Sequence, residues 1–170
     1  MKTLLIRMIR ASRFDAQTYE QVEADKTSNG GAVLVVVISS IAAAIGSGTL
    51  NPIEIASVTG ALLLTWMVWV GLAYFIGTRL LPEPTTHADL GEVLRTTGFS
   101  ASPGVLRLFG LIPGAGLPIF VGVTIWMLLT FVVAVRQSLD YASSARALAV
   151  CVLGWLVHFL FLFGFVMVAI

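Results

Sequence analysis

The sequence predicts an all-α fold: a polytopic membrane bundle of five transmembrane helices, the third short and broken between Gly98 and Pro103, preceded by an amphipathic helix at the amino terminus. Three observations predict it. Long runs free of charge recur along the chain, 58% of its 170 residues are hydrophobic against 11% charged, and its ten lysines and arginines are unevenly shared among the connecting turns. A soluble domain carries about a quarter charged residues. With a mean hydropathy of +0.96, most of this surface needs lipid as its solvent.

The opening residues imitate an export signal, with Lys2 followed by Leu4, Leu5 and Ile6. Arg7, Arg10 and Arg13 interrupt that run before a signal core can form. At helical spacing Leu5, Met8, Ile9 and Phe14 share one face and the arginines the other, the pattern of an interfacial helix on an anionic leaflet. Asp15, Glu20, Glu23 and Asp25 then reverse the sign of the charge. They read as a solvated helix face or as a docking surface. Residues 27–31 form a polar turn, so residues 1–31 make a cytoplasmic amphipathic and acidic segment and residues 32–170 the five-span membrane domain.

A helix crosses hydrocarbon with about 20 residues at about 1.5 Å each. Residues 32–50, 58–76, 117–135 and 147–170 meet that length without a charge. Residues 98–112 are harder to place, since they contain Pro103, Arg107 and Gly110 and their apolar part is half a bilayer long. Charge decides. Lys2, Arg7, Arg10, Arg13 and Lys26 hold the amino terminus in the cytoplasm by the positive-inside rule. If residues 98–112 cross, Arg136 and Arg146 also come inside, and only Arg107 of the ten cations lies within a span. Five crossings of the cell membrane follow, with the carboxyl terminus outside.

Ser102 followed by Pro103 reads as a helix start, with a hydroxyl at the cap and proline in the first turn. A helix from Pro103 to Ile112 is only about 15 Å long. Residues 98–102 are then expected to cover the remaining depth as irregular backbone, which at that depth must be shielded by protein or water. The third segment is therefore the internal one.

Residues 14–25 (Phe-Asp-Ala-Gln-Thr-Tyr-Glu-Gln-Val-Glu-Ala-Asp), running into Gly31, Ala32 and Val33, resemble the opening of bacterial Yip1-domain proteins. Residues 97–106 (Thr-Gly-Phe-Ser-Ala-Ser-Pro-Gly-Val-Leu) are similar to that family's central segment, in which Gly98 and Phe99 precede Pro103 at a fixed spacing. Residues 134–141 (Ala-Val-Arg-Gln-Ser-Leu-Asp-Tyr), with Arg146, Ala147, Leu148, Gly154 and Trp155, resemble its last loop and span. The resemblance implies a five-span membrane protein with a cytoplasmic amino terminus. In eukaryotes the family binds Rab-type GTPases and related Yip and Yif proteins in vesicle traffic. Those members carry an Asp-Leu-Tyr-Gly-Pro element before the first span that is not found in this sequence, so the resemblance implies a bacterial inner-membrane member and supplies no catalytic residues.

The candidate functional or partner-binding residues are Gly98, Phe99, Pro103, Arg107, Arg136, Asp140 and His158. Arg107 either pairs inside the protein, as intramembrane charges usually do, or snorkels to an interface. Arg136 and Asp140 stand four apart and meet on one helix face if the fourth span continues beyond the membrane; Gln137 and Tyr141 would extend that polar surface. His158 shares a face with Trp155, Phe161 and Leu162, and no second histidine lies in a span to complete a metal site. Residues 98–102 do not form a Gly-x-Ser-x-Gly elbow, because the fifth position is Ser102. No catalytic residue, cofactor or metal is expected, and a net charge of +1 gives nucleic acid no footprint.

Ser40, Ala44 and Gly48 form one small-residue ridge on the first span, and Ser39, Ala43 and Ser47 the next; Ala73 and Gly77 repeat the device on the second. Such ridges let helices approach closely in lipid, within one bundle or between copies. Cys151 reads as a packing residue. The expected partners are the lipid bilayer and, through the ridges, other membrane proteins or a second copy. The chain thus reads as a non-catalytic Yip1-type membrane protein with a membrane-organising or protein-interaction role. The alternative is a small transporter, channel or lipid-moving protein with the third segment as its pathway.

Overall fold

The computed structural model describes residues 2–169, with side chains as far as Leu160. All its regular elements are helical: α1 (Lys2–Ser12), α2 (Ala16–Ala24), a 3-10 turn (Lys26–Ser28), α3 (Asn29–Gly46), α4 (Pro52–Phe75) prolonged by a π-helical turn (Ile76–Leu80), α5 (Leu90–Ser100) continued by a 3-10 helix (Ser102–Leu111), α6 (Gly116–Ser138) and α7 (Ser144–Ala169). Lys26–Gly46, Pro52–Leu80 and Gly116–Ser138 are long and apolar enough to cross a membrane, and Ser144–Leu160 of α7 is apolar but shorter.

Local signals set the helix ends. Asn51 caps α4 through its side-chain oxygen, which accepts from the N–H of Ile53 at 2.9 Å, and Pro52 follows it in the first turn, where a missing N–H is harmless. The first span ends at Gly46, four residues short of the apolar run, because Gly48 turns the chain at φ +95°. Of residues 27–31, expected as a polar turn, Thr27 and Ser28 belong with Lys26 to a 3-10 turn capped by Asp25, and α3 already begins at Asn29.

The third segment differs most from expectation. Gly98 to Ser100 are not irregular: they are the last turn of α5, which starts at Leu90 with a reciprocal capping box between Asp89 and Glu92. What happens at residue 101 is a change of helix type. Ten residues of 3-10 helix at about 2.0 Å each, added to eleven of α-helix, reach about 36 Å, so no irregular stretch is needed for depth. Gly98 serves close approach: a Cβ there would sit 2.6 Å from Ala32 Cβ. Ser102 does not cap the new helix either, since its hydroxyl donates to the carbonyl of Phe99 at 2.6 Å.

Every residue from Arg95 to Gly104 is buried, so this stretch is enclosed on all sides. Gly98 lies beside Ala32, Gly104 beside Ser39, and Arg107 beside Gly46, so the third segment runs parallel to α3. Thr130 bonds at Ser100 and Thr124 at Arg107, so it runs antiparallel to α6. The buried ridge residues Ser39, Ser40 and Ala44 therefore act within the bundle. Gly46 is the tightest point, where a Cβ would collide with the carbonyl of Arg107.

α1 also departs from its pattern. Met8 and Ala11 are buried against the bundle, with Leu4 packed beside them, while Leu5 (56% exposed) and Ile9 (54%) face outward. Met8 therefore belongs to a docking face rather than sharing the outer face with Leu5, Ile9 and Phe14. The indole N–H of Trp126 donates to the carbonyl of Ser12 at 2.7 Å, and Tyr19 Oη donates to that of Ala11 at 3.1 Å.

Candidate functional site

Two polar regions stand out, and the first is the junction where α5 becomes a 3-10 helix. Pro103 has no N–H, so the carbonyls three and four residues behind it lose their helical donor. They are served by side chains instead: Phe99 accepts from Ser102 Oγ at 2.6 Å and Ser100 from Thr130 Oγ1 at 2.8 Å. Ser39 Oγ of α3 donates to the next carbonyl, Ala101, at 2.8 Å. Two neighbouring helices thus clamp the point where the ladder changes. The hydroxyls of Thr96, Thr97 and Ser100 bond back to their own helix, and Trp66 Nε1 donates to Thr97 Oγ1 at 3.3 Å. Phe99 is fully buried in the core. The polar atoms a pathway would require are spent on one another, which gives the transport alternative no support.

Arg107 pairs inside the protein: Nη2 donates to Thr124 Oγ1 at 3.0 Å, and the guanidinium lies 4.9 Å from the ring centroid of Phe120. Its Nε is buried with no hydrogen-bond partner among the described residues. The charge that sequence reasoning missed is Arg95, only 3% exposed. Its Nε and Nη2 donate to the carbonyl of Glu23 at 2.9 and 2.5 Å, and Nη1 to Asn29 Oδ1 at 3.1 Å. Arg95 therefore ties α2 and the start of α3 to α5. The capping-box spacing of Asp89 and Glu92 is the signal in the sequence by which Arg95 could have been placed on a helix rather than in a loop.

The second region is a cleft of about 560 Å³ at the α2 end, lined by residues that include Glu20, Glu23, Glu92, Arg136, Gln137 and Asp140. The acidic run is thus only partly a solvated face. Asp15 caps α2, Asp25 pairs with Arg7 at 3.0 Å, and Glu20 accepts from Gln137 Nε2 at 3.0 Å. Hydrogen bonds from Thr27, Ser28 and Arg7 hold the Asp25 carboxyl well below the usual range. Glu23 is pushed up to about 7, first by burial and then by Asp140, Glu92 and Glu20, with Arg95 opposing. The Tyr141 hydroxyl is raised, chiefly by burial, and donates to the carbonyls of Gly77 and Leu81 at 3.0 and 2.7 Å.

Arg136 and Asp140 share the cleft but not a helix face. α6 stops at Ser138 and Asp140 takes φ +51°, so the four-residue spacing is no longer helical. Arg136 instead donates to the carbonyls of Tyr141 and Ala142 and to Ser144 Oγ, at 3.2 to 3.3 Å, pinning the turn into α7. Tyr141 is buried beneath that turn rather than extending an outer surface. His158 stands apart from both regions, 5.8 Å from the Trp69 ring. The expected neighbours Phe161 and Leu162 lie outside the described side chains.

The family model described as the Yip1 domain matches residues 12–166. No curated protein and no solved structure matches the chain.

Proposed function

This chain belongs to the Yip1-domain family, and on that premise we propose that it is a non-catalytic, five-span protein of the cell membrane, whose amino terminus and α2-end cleft face the cytoplasm and whose carboxyl terminus lies outside. The proposed organisation is residues 1–31 as an amphipathic and acidic cytoplasmic segment on a membrane domain of residues 32–170. The observation that carries the reading is the alignment of the third segment with α3 from Gly98 beside Ala32 to Arg107 beside Gly46: a segment that runs parallel to a span over that length crosses with it. Nine of the ten cations then lie at cytoplasmic ends, as the positive-inside rule asks.

The cleft is the proposed interaction surface. Its walls come from α2, α5, the end of α6 and the turns at Thr85 and Asp140, so it exists only in the assembled fold. A reporter fused at the carboxyl terminus tests the topology; an outside location is expected, and an inside one overturns five crossings. A photo-crosslinker at Thr85, beside the cleft, tests the interaction. A discrete protein adduct lost on Asp140→Lys is expected, and the same adducts from lipid-facing Leu64 would sink the reading.

A further inference from the structure

The 3-10 helix does more than fill depth. At three residues per turn, side chains at i and i+3 eclipse and make straight stripes. Leu106, Phe109 and Ile112 form such a stripe, and all three are exposed, Phe109 by 55%. Facing them on α6 are Ile119, Gly122, Val123 and Trp126, which share one helical face. Between the two lies a groove of about 600 Å³ on the outer surface of the bundle. Its floor is open because Gly122 has no side chain, and a Cβ there would meet nothing within 4 Å.

The groove itself is apolar, and the polar groups near it belong to the end of α1. Trp126 lines the groove and donates its indole N–H to the carbonyl of Ser12, which brings the end of α1 to the groove's mouth. Arg10 and Arg13 flank that residue, are exposed, and form no ion pair among the described residues. The nearby carboxylate of Asp15 is engaged with the N–H of Gln17 and the hydroxyl of Thr18. Arg7, on the same helix, is paired with Asp25.

We propose that this groove and the end of α1 form a binding site for an anionic phospholipid of the α1-side leaflet, with an acyl chain along Leu106, Phe109 and Gly122 and the headgroup phosphate on Arg10 and Arg13. The apolar slot takes an acyl chain, and the two free cations beside its Trp126 end take the phosphate. The proposal needs the chain to be embedded in lipid but does not depend on the cleft or on which face of the membrane is cytoplasmic. A failed crosslink at the cleft therefore leaves it standing.

The full chain, extracted from bilayers of equimolar phosphatidylglycerol and phosphatidylcholine, is tested by quantifying retained lipid by mass spectrometry. Enrichment of phosphatidylglycerol is expected, with each arginine contributing about fivefold. The pair Arg10→Gln and Arg13→Gln removes the preference. Gly122→Leu fills the groove and lowers retention of both lipids, with helicity by circular dichroism unchanged. Lys2→Gln, at the far end of α1, leaves the preference intact. Equal retention of the two lipids by the unaltered chain overturns the site. So does undiminished retention in Gly122→Leu, or a loss in Lys2→Gln as large as in Arg10→Gln, either of which means diffuse attraction to the leaflet.

Discussion

Arg95 and Gly46 show how single residues hold this bundle. Arg95 gives three N–H groups to the Glu23 carbonyl and Asn29, all from a buried position. Hydrogen bonds from a charged donor contribute about 1.5–3 kcal/mol each, and a buried carbonyl left without a partner costs extra. Arg95→Gln is expected to destabilise by about 3 kcal/mol in thermal unfolding in detergent, and Arg95→Lys to recover little, since an ammonium lacks the planar fork. Gly46→Ala drives a methyl into the backbone carbonyl of Arg107, an overpacking that costs about 1–3 kcal/mol. Gly122→Ala, in open space, is expected to stay within about 0.5 kcal/mol by the same measurement.

Two elements carry consequences of their own. At the helix-type junction, Ser39 and Thr130 serve the adjacent carbonyls of Ala101 and Ser100. Removing the Thr130 hydroxyl leaves the buried Ser100 carbonyl unmet, so Thr130→Ala is expected to cost about 1–3 kcal/mol in unfolding, whereas Ser39→Ala, whose acceptor Ala101 keeps the Gly104 N–H at 2.9 Å, is expected to cost about 0.5–1.5 kcal/mol. The docking of α2 is pH-dependent through Glu23, whose folded-state pKa is raised from 4.5 to about 7. The folded state then binds the proton more tightly than the unfolded one. Stability is therefore full below pH 4.5, falls as pH rises to 7, and stays at the lower level above that. Hydrogen exchange of the α2 amides is expected to quicken across that window beyond its intrinsic base dependence, and Glu23→Gln to abolish the excess.

At the scale of the whole molecule, the third segment decides which turns share a side of the membrane. In a Cys151→Ser background, Ala115→Cys is expected to react with an impermeant maleimide on intact cells, and Thr85→Cys only after permeabilisation. Reaction of both from one side would leave the third segment uncrossed. The long apolar runs of α3, α4 and α6, the sorting of the cations and the family resemblance were all legible in the sequence, because each is a property of composition and order along the chain. The length of the third segment was not. Thr96, Thr97, Ser100 and Ser102 lower its hydropathy, so a scan for apolar runs began at Gly98 and left Arg95 in a loop, although Asp89 and Glu92 mark the true start. A helix enclosed by protein need not be apolar, only satisfied. Its partners are Ser39 on α3, Thr130 on α6, and for Arg95 residues 72 and 66 positions away. Sequence alone determined that this chain lives in lipid, because solvation sums over residues. The tertiary structure alone decided which polar groups lie inside it, because each depends on a donor or acceptor that only packing brings within reach.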